Sequence, residues 1–202
     1  MKLVIMTKST FFVEEDKILA TLFDEGMDNL HLYKPGMPPM YSERLLTLLP
    51  EDYRKYITVH DNFYLKDEYD LAGIHIDNAT DPKPEWYKGR LSRSCSDLQM
   101  LKQLRKKCDY IFLKNIFDCI EFPDEKSSFN LKQLEEAAKQ GLIGKRVYAL
   151  GGMSVDNIKI AKDLGFGGVV ICGDLWHLFN IQSQNDFKEI ITHFTKIRKA
   201  IG

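Results

Sequence analysis

The stretch KRVYALGGMSVDNIKIAKDLGFGGVVICG, residues 145–173, has the pattern of a complete strand–helix–strand unit. An apolar run, KRVYAL (145–150), leads into two glycines, and Ser154 then precedes a segment of helical spacing that ends at Gly165. A second apolar run, GVVIC (168–172), follows. The pattern predicts two parallel strands joined by a right-handed helical crossover, with Ser154 as the N-cap of the helix.

The same alternation extends from this unit over the rest of the chain. The apolar runs are KLVIMT (2–7), NLHLY (29–33), YITVH (56–60), LAGIHI (71–76), RLSRS (90–94), YIFL (110–113), KRVYAL (145–150) and GVVIC (168–172). Helical segments or turn signals separate these runs, which predicts one closed (β/α)₈ barrel, the TIM-barrel fold, over residues 1–202. A doubly wound open sheet is the alternative. No linker or low-complexity segment marks a domain boundary.

The composition is that of an ordinary globular protein, with 44% hydrophobic and 28% charged residues. A net charge of −1 argues against a nucleic-acid or anionic-membrane partner. No apolar stretch approaches the roughly 20 residues of a membrane span, and the N-terminus lacks the cleavage site of a signal peptide. The four cysteines have no C-x-x-C spacing, so we expect free thiols in a cytoplasmic protein.

Glycines follow the last two predicted strands. Gly151 and Gly152 come after the seventh strand, and Gly173 comes after the eighth. In (β/α)₈ barrels the active site lies at the C-terminal ends of the strands, and the loops after strands seven and eight often bind phosphate. Residues without a side chain let backbone N–H groups approach an anion closely. We therefore predict a phosphate site at these three glycines, with a simple tight turn as the alternative.

Histidines and aspartates also collect at the predicted strand ends. His31 and His60 end neighbouring strands and are candidate acid–base groups. Asp61 and Asp81 are candidate ligands for Mg²⁺, because this ion prefers oxygen ligands. The alternative is that the two aspartates cap a helix and a turn. His75 lies within a strand, and we expect it in the core with a satisfied hydrogen bond.

The stretch ALGGMSVDNIKIAKDLGFGGVVICG (149–173) resembles the seventh and eighth units of the thiamine phosphate synthase and thiazole tautomerase superfamily, which typically read A-I-G-G-I-T-x-x-N. AGIHI (72–76) is similar to the family's A-D-G-V-H-L, and DYIFLKNIF (109–117) is similar to D-Y-V-x-x-G-x-I-F. The resemblance implies a barrel that joins hydroxymethylpyrimidine diphosphate to thiazole phosphate and releases pyrophosphate. It also implies that Mg²⁺ and basic side chains hold the diphosphate.

The chain departs from the family pattern where the diphosphate is handled. In the second strand His31 stands at the family's Gln position and Tyr33 at its Arg position, while Lys34 is basic but one residue out of register. The threonine-rich loop after the sixth strand is replaced by FDCIEF (117–122), with Lys126 as a candidate replacement for its lysine. These changes predict weak synthase activity, or none, with binding of the phosphorylated product retained.

Other family positions are kept. Asp61 and Ser94 match, Asp81 matches only with a one-residue shift, and Ser96 stands where the tautomerase branch carries a histidine. The candidate catalytic residues are therefore His31, Lys34, His60 and Ser94. The alternatives are a tautomerase that uses His31 or His60 as its base and a non-catalytic barrel that binds a phosphorylated ligand. Small phosphorylated substrates are the expected partners, and a homodimer is the candidate assembly.

Overall fold

The computed structural model describes residues 1–122, 124–179 and 188–202. Its strands are β1 (Lys2–Met6), β2 (Leu30–Leu32), β3 (Ile57–Val59), β4 (Gly73–Ile76), β5 (Arg90–Cys95), β6 (Tyr110–Leu113), β7 (Val147–Ala149) and β8 (Gly168–Ile171). Each strand pairs in parallel with the next, and β8 pairs with β1. The closed barrel confirms the predicted (β/α)₈ fold and excludes the open sheet.

Helices cover the outside of this barrel. Those described are α1 (Glu15–Asp24), α2 (Pro39–Leu48), α3 (Glu51–Arg54), α4 (Leu65–Glu68), α5 (Leu101–Leu104), α6 (Leu131–Lys139), α7 (Ile158–Asp163), α8 (Gly173–Trp176) and α9 (Lys188–Ile201). Several crossover helices have a single turn, as a chain near the lower length limit of the fold requires. No helix in the described part of the chain is long and apolar enough to cross a bilayer.

Asp97 and Asn130 each precede an apolar helical segment in the sequence, which predicts them as N-caps, and both make capping interactions. The side chain of Asn130 accepts from the amide of Gln133, and the Gln133 side chain accepts from the amide of Asn130, which completes a capping box before α6. Asp97 accepts from the amide of Gln99 at a 3₁₀ turn that precedes α5. Short polar side chains fix these starts because they satisfy amides that have no partner inside the helix.

The predicted N-cap at Ser154 is wrong. Regular helix begins at Ile158, with Asn157 before it. The Asn157 side chain accepts from the amide of Ser154, so a turn intervenes between the glycines and α7. An Asx side chain competes for the local amides and delays the helix. The spacing of Phe187, Ile190, Ile191, Phe194 and Ile197 predicts a final amphipathic helix, of which Phe187 lies outside the described residues.

The two ends of the sheet are joined by backbone pairing and by one tryptophan. Lys2 is in register with Gly168, and Ile5 with Ile171. Trp176 is fully buried on α8, and its Nε1 donates to the carbonyl of Met6 over 2.7 Å. Closure of the barrel therefore depends on contacts between the first and the last strand units.

The interior of the barrel contains both aromatic and polar side chains. An inner cluster, separate from the layer between sheet and helices, consists of Val4, Met6, Tyr110, Phe112, Tyr148 and Val170. The polar side chains His31, His75, Ser92 and Ser94 are buried beside it. A buried polar group is costly without a hydrogen-bond partner, so the partners of these groups define the site.

Candidate active site

Three histidines from neighbouring strands form one cluster inside the barrel. His31 lies in β2, His60 follows β3 and His75 lies in β4. The ring centroids of His60 and His75 are 4.2 Å apart, and that of His31 is 5.0 Å from His60. His31 and His75 have no exposed surface, and His60 is 3% exposed. His31 and His60, predicted at the strand ends, are thus adjacent and buried.

A chain of hydrogen bonds runs from this cluster to the barrel mouth. Nε2 of His31 lies 2.7 Å from the Tyr110 hydroxyl, and Nδ1 of His31 lies 2.8 Å from Nε2 of His60. Nδ1 of His60 lies 2.8 Å from Oδ1 of Asp77. Tyr110 is buried, whereas the Asp77 side chain is 41% exposed. The chain therefore connects the closed interior to a carboxylate that solvent and ligands can reach.

The partners fix the direction in which these groups donate. Burial lowers the pKa of His31 well below its usual range, and the neighbouring His60 lowers it further, so His31 is neutral at pH 7. A carboxylate only accepts, so Nδ1–H of His60 donates to Asp77. With the proton of His31 on Nδ1, Nε2 of His60 accepts from His31, and Nε2 of His31 accepts from the Tyr110 hydroxyl. All three bonds are made when donation runs from Tyr110 toward Asp77.

His75 has two serine partners. Its Nδ1 lies 2.8 Å from Oγ of Ser92 and its Nε2 lies 2.9 Å from Oγ of Ser94. Burial lowers the pKa of His75 well below its usual range, so the ring is neutral. Ser94, a candidate catalytic residue, is only 2% exposed and is a hydrogen-bond partner of a core histidine.

The three histidines also lie close enough to suggest a metal site, because one nitrogen from each falls within 4.8 Å of the others. Each ring nitrogen, however, already has a protein partner. The rings of His60 and His75 are stacked at 24°, so their nitrogen lone pairs lie in two nearly parallel planes. Tetrahedral ligation needs lone pairs that converge on one point. The cluster is therefore better described as a hydrogen-bonded network.

Asp61 and Asp77 form an acidic pair at the mouth. Oδ2 of Asp61 is buried and has no hydrogen-bond partner among the described residues. Burial raises the pKa of Asp61, and the negative charge of Asp77 raises it further. Asp81, by contrast, lies in the exposed loop after β4, where its carboxylate accepts from Asn78 over 2.9 Å. A buried carboxylate oxygen without a partner beside a second carboxylate fits a divalent cation.

The side chain of Lys34 is buried between the loops that follow β1 and β2. Its Nζ is 2.6 Å from Oε1 of Glu15 and 3.0 Å from the carbonyl of Thr10, and it lies 4.3 Å from the centre of the Phe11 ring. Lys34 and Glu15 are each 2% exposed. Burial lowers the pKa of Lys34 and raises that of Glu15. The charge of Lys34 is thus compensated inside the fold, where it fastens the loop after β1 to the loop after β2.

A different lysine faces the mouth. Lys114 follows β6, is half-buried, and lines a cavity of about 220 Å³ together with Asp77, Ser94 and Ser96. The family motif does not identify Lys114, because it has a glycine at this position. The only sequence signal for Lys114 is its position directly after a strand. Lys126, the candidate replacement from the sequence, is 68% exposed and pairs with Asp118.

The glycines after β7 allow the loop after β6 to pack closely against their backbone. Gly151 and Gly152 have φ angles of +102° and +59°, a region that favours glycine. A Cβ on Gly152 would overlap the carbonyl oxygen of Asp118. The amides of Gly151 and Gly152 donate no backbone hydrogen bond to another described residue. Gly173 is the first residue of α8, so free amides from two loops lie at this side of the mouth.

The protein is similar over its full length to the thiamine phosphate pyrophosphorylase of Bacteroides thetaiotaomicron. The two share 44% identity, with a TM-score of 0.90 and coverage of 100% of this chain and 98% of the other. The thiamine phosphate pyrophosphorylase of Pyrococcus furiosus shares 18% identity, with a TM-score of 0.73 and coverage of 99% and 95%. A 3-hexulose-6-phosphate synthase shares 14% identity, with a TM-score of 0.64 and full coverage of both chains (100% and 100%).

The two more distant likenesses show the fold alone. Comparison with family models and with curated proteins gives no match. The closed barrel with its polar C-terminal mouth defines the class as a (β/α)₈-barrel protein. Within that class, 44% identity over the full chain shows that the protein belongs to the thiamine phosphate pyrophosphorylase, or thiamine phosphate synthase, family of transferases. The resemblance seen in the sequence is confirmed.

Proposed function

We propose that the protein is a thiamine phosphate synthase-like transferase. It joins hydroxymethylpyrimidine diphosphate to thiazole phosphate and releases pyrophosphate, with weakened activity. The observation that carries this proposal is the 44% identity over the full chain with the Bacteroides thetaiotaomicron protein. Its partners are therefore small phosphorylated substrates, and we propose that it acts in the cytoplasm.

The thiazole phosphate binds at Gly151, Gly152 and Gly173 in this proposal. Free amides at a strand-to-helix junction suit a phosphate because several N–H dipoles point at one anion. Their position after β7 and β8 supports the assignment, since this is where (β/α)₈ barrels often bind phosphate.

Mg²⁺ would be held by Asp61 and Asp77. The buried Oδ2 of Asp61 without a partner supports this choice, and Asp77 takes the place that the sequence suggested for Asp81. When bound, the ion supplies positive charge that stabilises a departing diphosphate. The two carboxylates would place that charge at the mouth of the barrel.

Lys114 supplies the second positive charge. It is the lysine that lines the cavity beside Asp77 and Ser94, whereas the charge of Lys34 is compensated by Glu15. A fixed cation next to the leaving group stabilises the negative charge that develops as the bond breaks. One lysine in place of the family's several basic contacts accounts for the reduced rate that we propose.

The tautomerase alternative is supported less well. Such a reaction needs a base that touches the substrate. The side chain of His60 has no exposed surface and His31 is fully buried, so neither ring reaches a ligand at the mouth.

A homodimer forms through an apolar surface on α2 and the loop before α1 in this proposal. Val13 is 72% exposed, Tyr41 45% and Leu48 54%, and all three line one groove. Exposed apolar clusters of this kind are typical of protein contacts. Sedimentation equilibrium would test the assembly, and Leu48→Glu should shift a dimer to a monomer.

The test of the function is formation of thiamine phosphate from the two purified substrates with Mg²⁺. We expect slow but measurable product, dependent on Mg²⁺ and abolished by Asp61→Asn. Isothermal titration with thiazole phosphate measures binding without turnover. Absence of both product and thiazole phosphate binding at millimolar ligand overturns the proposal.

A further inference from the structure

The proposed reaction makes no direct use of Tyr110, His31 or His60. The side chains of these three residues are buried. Polar groups in a barrel core lower stability unless every donor and acceptor is satisfied, and apolar residues would fill the same space at less cost. The three groups instead form consecutive hydrogen bonds of 2.7 and 2.8 Å that lead outward to Asp77.

The bond from His60 engages one oxygen of Asp77. Nδ1 of His60 lies 2.8 Å from Oδ1, and Nε2 of His75 lies 3.7 Å from the same oxygen. The other oxygen, Oδ2, is left for a ligand at the mouth. A carboxylate whose first oxygen accepts a hydrogen bond is held in one rotamer, which reduces the entropy lost when it binds a cation.

The Tyr110 hydroxyl acts on His60 through the tautomer of His31. While Tyr110 donates to Nε2 of His31, His31 keeps its proton on Nδ1 and donates to Nε2 of His60. His60 must then keep its own proton on Nδ1, where it faces Asp77. Loss of the hydroxyl removes this constraint, because His31 is then free to take the opposite tautomer.

We propose that Tyr110, His31 and His60 are positioning residues that hold the Asp77 carboxylate in the orientation that binds a divalent cation together with Asp61. The inference rests on the proposed function, because the cation site belongs to it. In this inference, buried side chains that do not contact the cation determine the affinity of the site for it.

Binding of Mn²⁺ to the protein without substrates tests this inference, with free Mn²⁺ measured by electron paramagnetic resonance. His60→Gln places an amide near the position of Nε2 and removes the donor to Asp77, and we expect about 10–100-fold weaker Mn²⁺ binding. His60→Asn places its amide near the position of Nδ1, so it should recover most of the affinity. A purely structural role would not separate these two variants.

The far end of the chain has a matched control. Tyr148 stacks on Tyr110 with ring centroids 4.9 Å apart, but its hydroxyl is not part of the chain. Tyr110→Phe should weaken Mn²⁺ binding about threefold, while Tyr148→Phe leaves it unchanged. Nitrogen-15 spectra should show Nδ1–H tautomers for His31 and His60 in the parent protein, and a mixture of His31 tautomers in Tyr110→Phe.

The outcomes separate this inference from the proposed function. Product formation by the parent protein, with equal Mn²⁺ affinity in His60→Gln, overturns the positioning role and leaves the function standing. A parent protein that neither forms product nor binds Mn²⁺ overturns both. Co²⁺ absorption bands that His75→Asn abolishes would place a metal on the histidines themselves, which also overturns the inference.

Discussion

Nζ of Lys34 lies 2.6 Å from Oε1 of Glu15, and both side chains are 2% exposed. This pair connects the start of α1 to the loop after β2, and Oε2 of Glu15 is left buried without a partner among the described residues. Lys34 therefore contributes to folding at a position where the sequence suggested catalysis.

Lys34→Met should lower the free energy of unfolding by about 3–5 kcal/mol, because it leaves the Glu15 carboxylate buried without its cation. The double variant Lys34→Met with Glu15→Leu should recover most of this loss. Urea denaturation measures both. Lys159→Met, which breaks the exposed pair with Asp163, is the control and should change little. A loss below about 1 kcal/mol for Lys34→Met would contradict the prediction.

Stability should fall as the pH is lowered below about 6.5, the ordinary value for histidine. Burial depresses the pKa of His31 and His75, so the unfolded chain takes up protons that the folded protein does not. The free energy of unfolding then decreases by up to about 1.4 kcal/mol per pH unit for each ring. Urea denaturation between pH 8 and 5 measures the slope. His31→Gln should reduce it and His177→Asn, at an exposed position, should not.

Gly173→Ala should weaken binding of thiazole phosphate about tenfold with little loss of stability. Its Cβ would lie 3.0 Å from Cγ of Glu121, a side chain that can move, and it would crowd the anion. Isothermal titration and thermal unfolding are the two measurements. Unchanged affinity would mean that Gly173 only begins a helix.

Gly152→Ala should instead destabilise the fold, because its Cβ meets backbone at a positive φ. Gly165→Ala is the control, since Gly165 has a φ of +83° but no atom within 4 Å of its Cβ. We expect a clearly larger drop in Tm for Gly152→Ala than for Gly165→Ala. Equal drops would show that the close approach of the loop after β6 costs nothing.

Lys114→Met should lower kcat/KM for thiamine phosphate formation about 10²–10³-fold, the usual effect of removing one electrostatic contact to a transition state. Lys126→Met is the comparison, because Lys126 is the loop lysine suggested by the sequence. Steady-state kinetics at saturating Mg²⁺ measure both. If Lys126→Met abolishes turnover and Lys114→Met does not, the loop after β6 rearranges to supply the charge.

The barrel could be predicted from the sequence because each unit carries its own signal. The run GVVIC, for example, contains β8, and a continuous apolar run between turn signals can be recognised without any distant contact. The helix start at Ser154 was wrong because the side chain of Asn157, three residues later, binds the Ser154 amide in a turn that precedes the helix. Local patterns do not rank two such candidates.

The site was predictable only in part. The sequence selected His31 and His60, but their bond joins residues 29 positions apart, and the bond to Tyr110 spans 79. Only barrel closure brings such pairs together. Comparison with the family motif predicted Asp81 as a metal ligand. The structure instead places Asp77, which follows β4 directly, in the cavity and close enough to Asp61 to raise its pKa.

The pairing of β1 with β8 also has a kinetic consequence. The bond from Trp176 to Met6 joins residues 170 positions apart, so it cannot form until nearly the whole chain has been synthesised. Contacts between residues so far apart in the chain form slowly, because closing the large loop between them costs entropy before the contacts stabilise the fold. One edge of β1 therefore stays unpaired until β8 has been synthesised. Trp176 is fully buried, whereas Trp86 is 53% exposed. A change in the fluorescence of Trp176 should therefore report the pairing of β1 with β8.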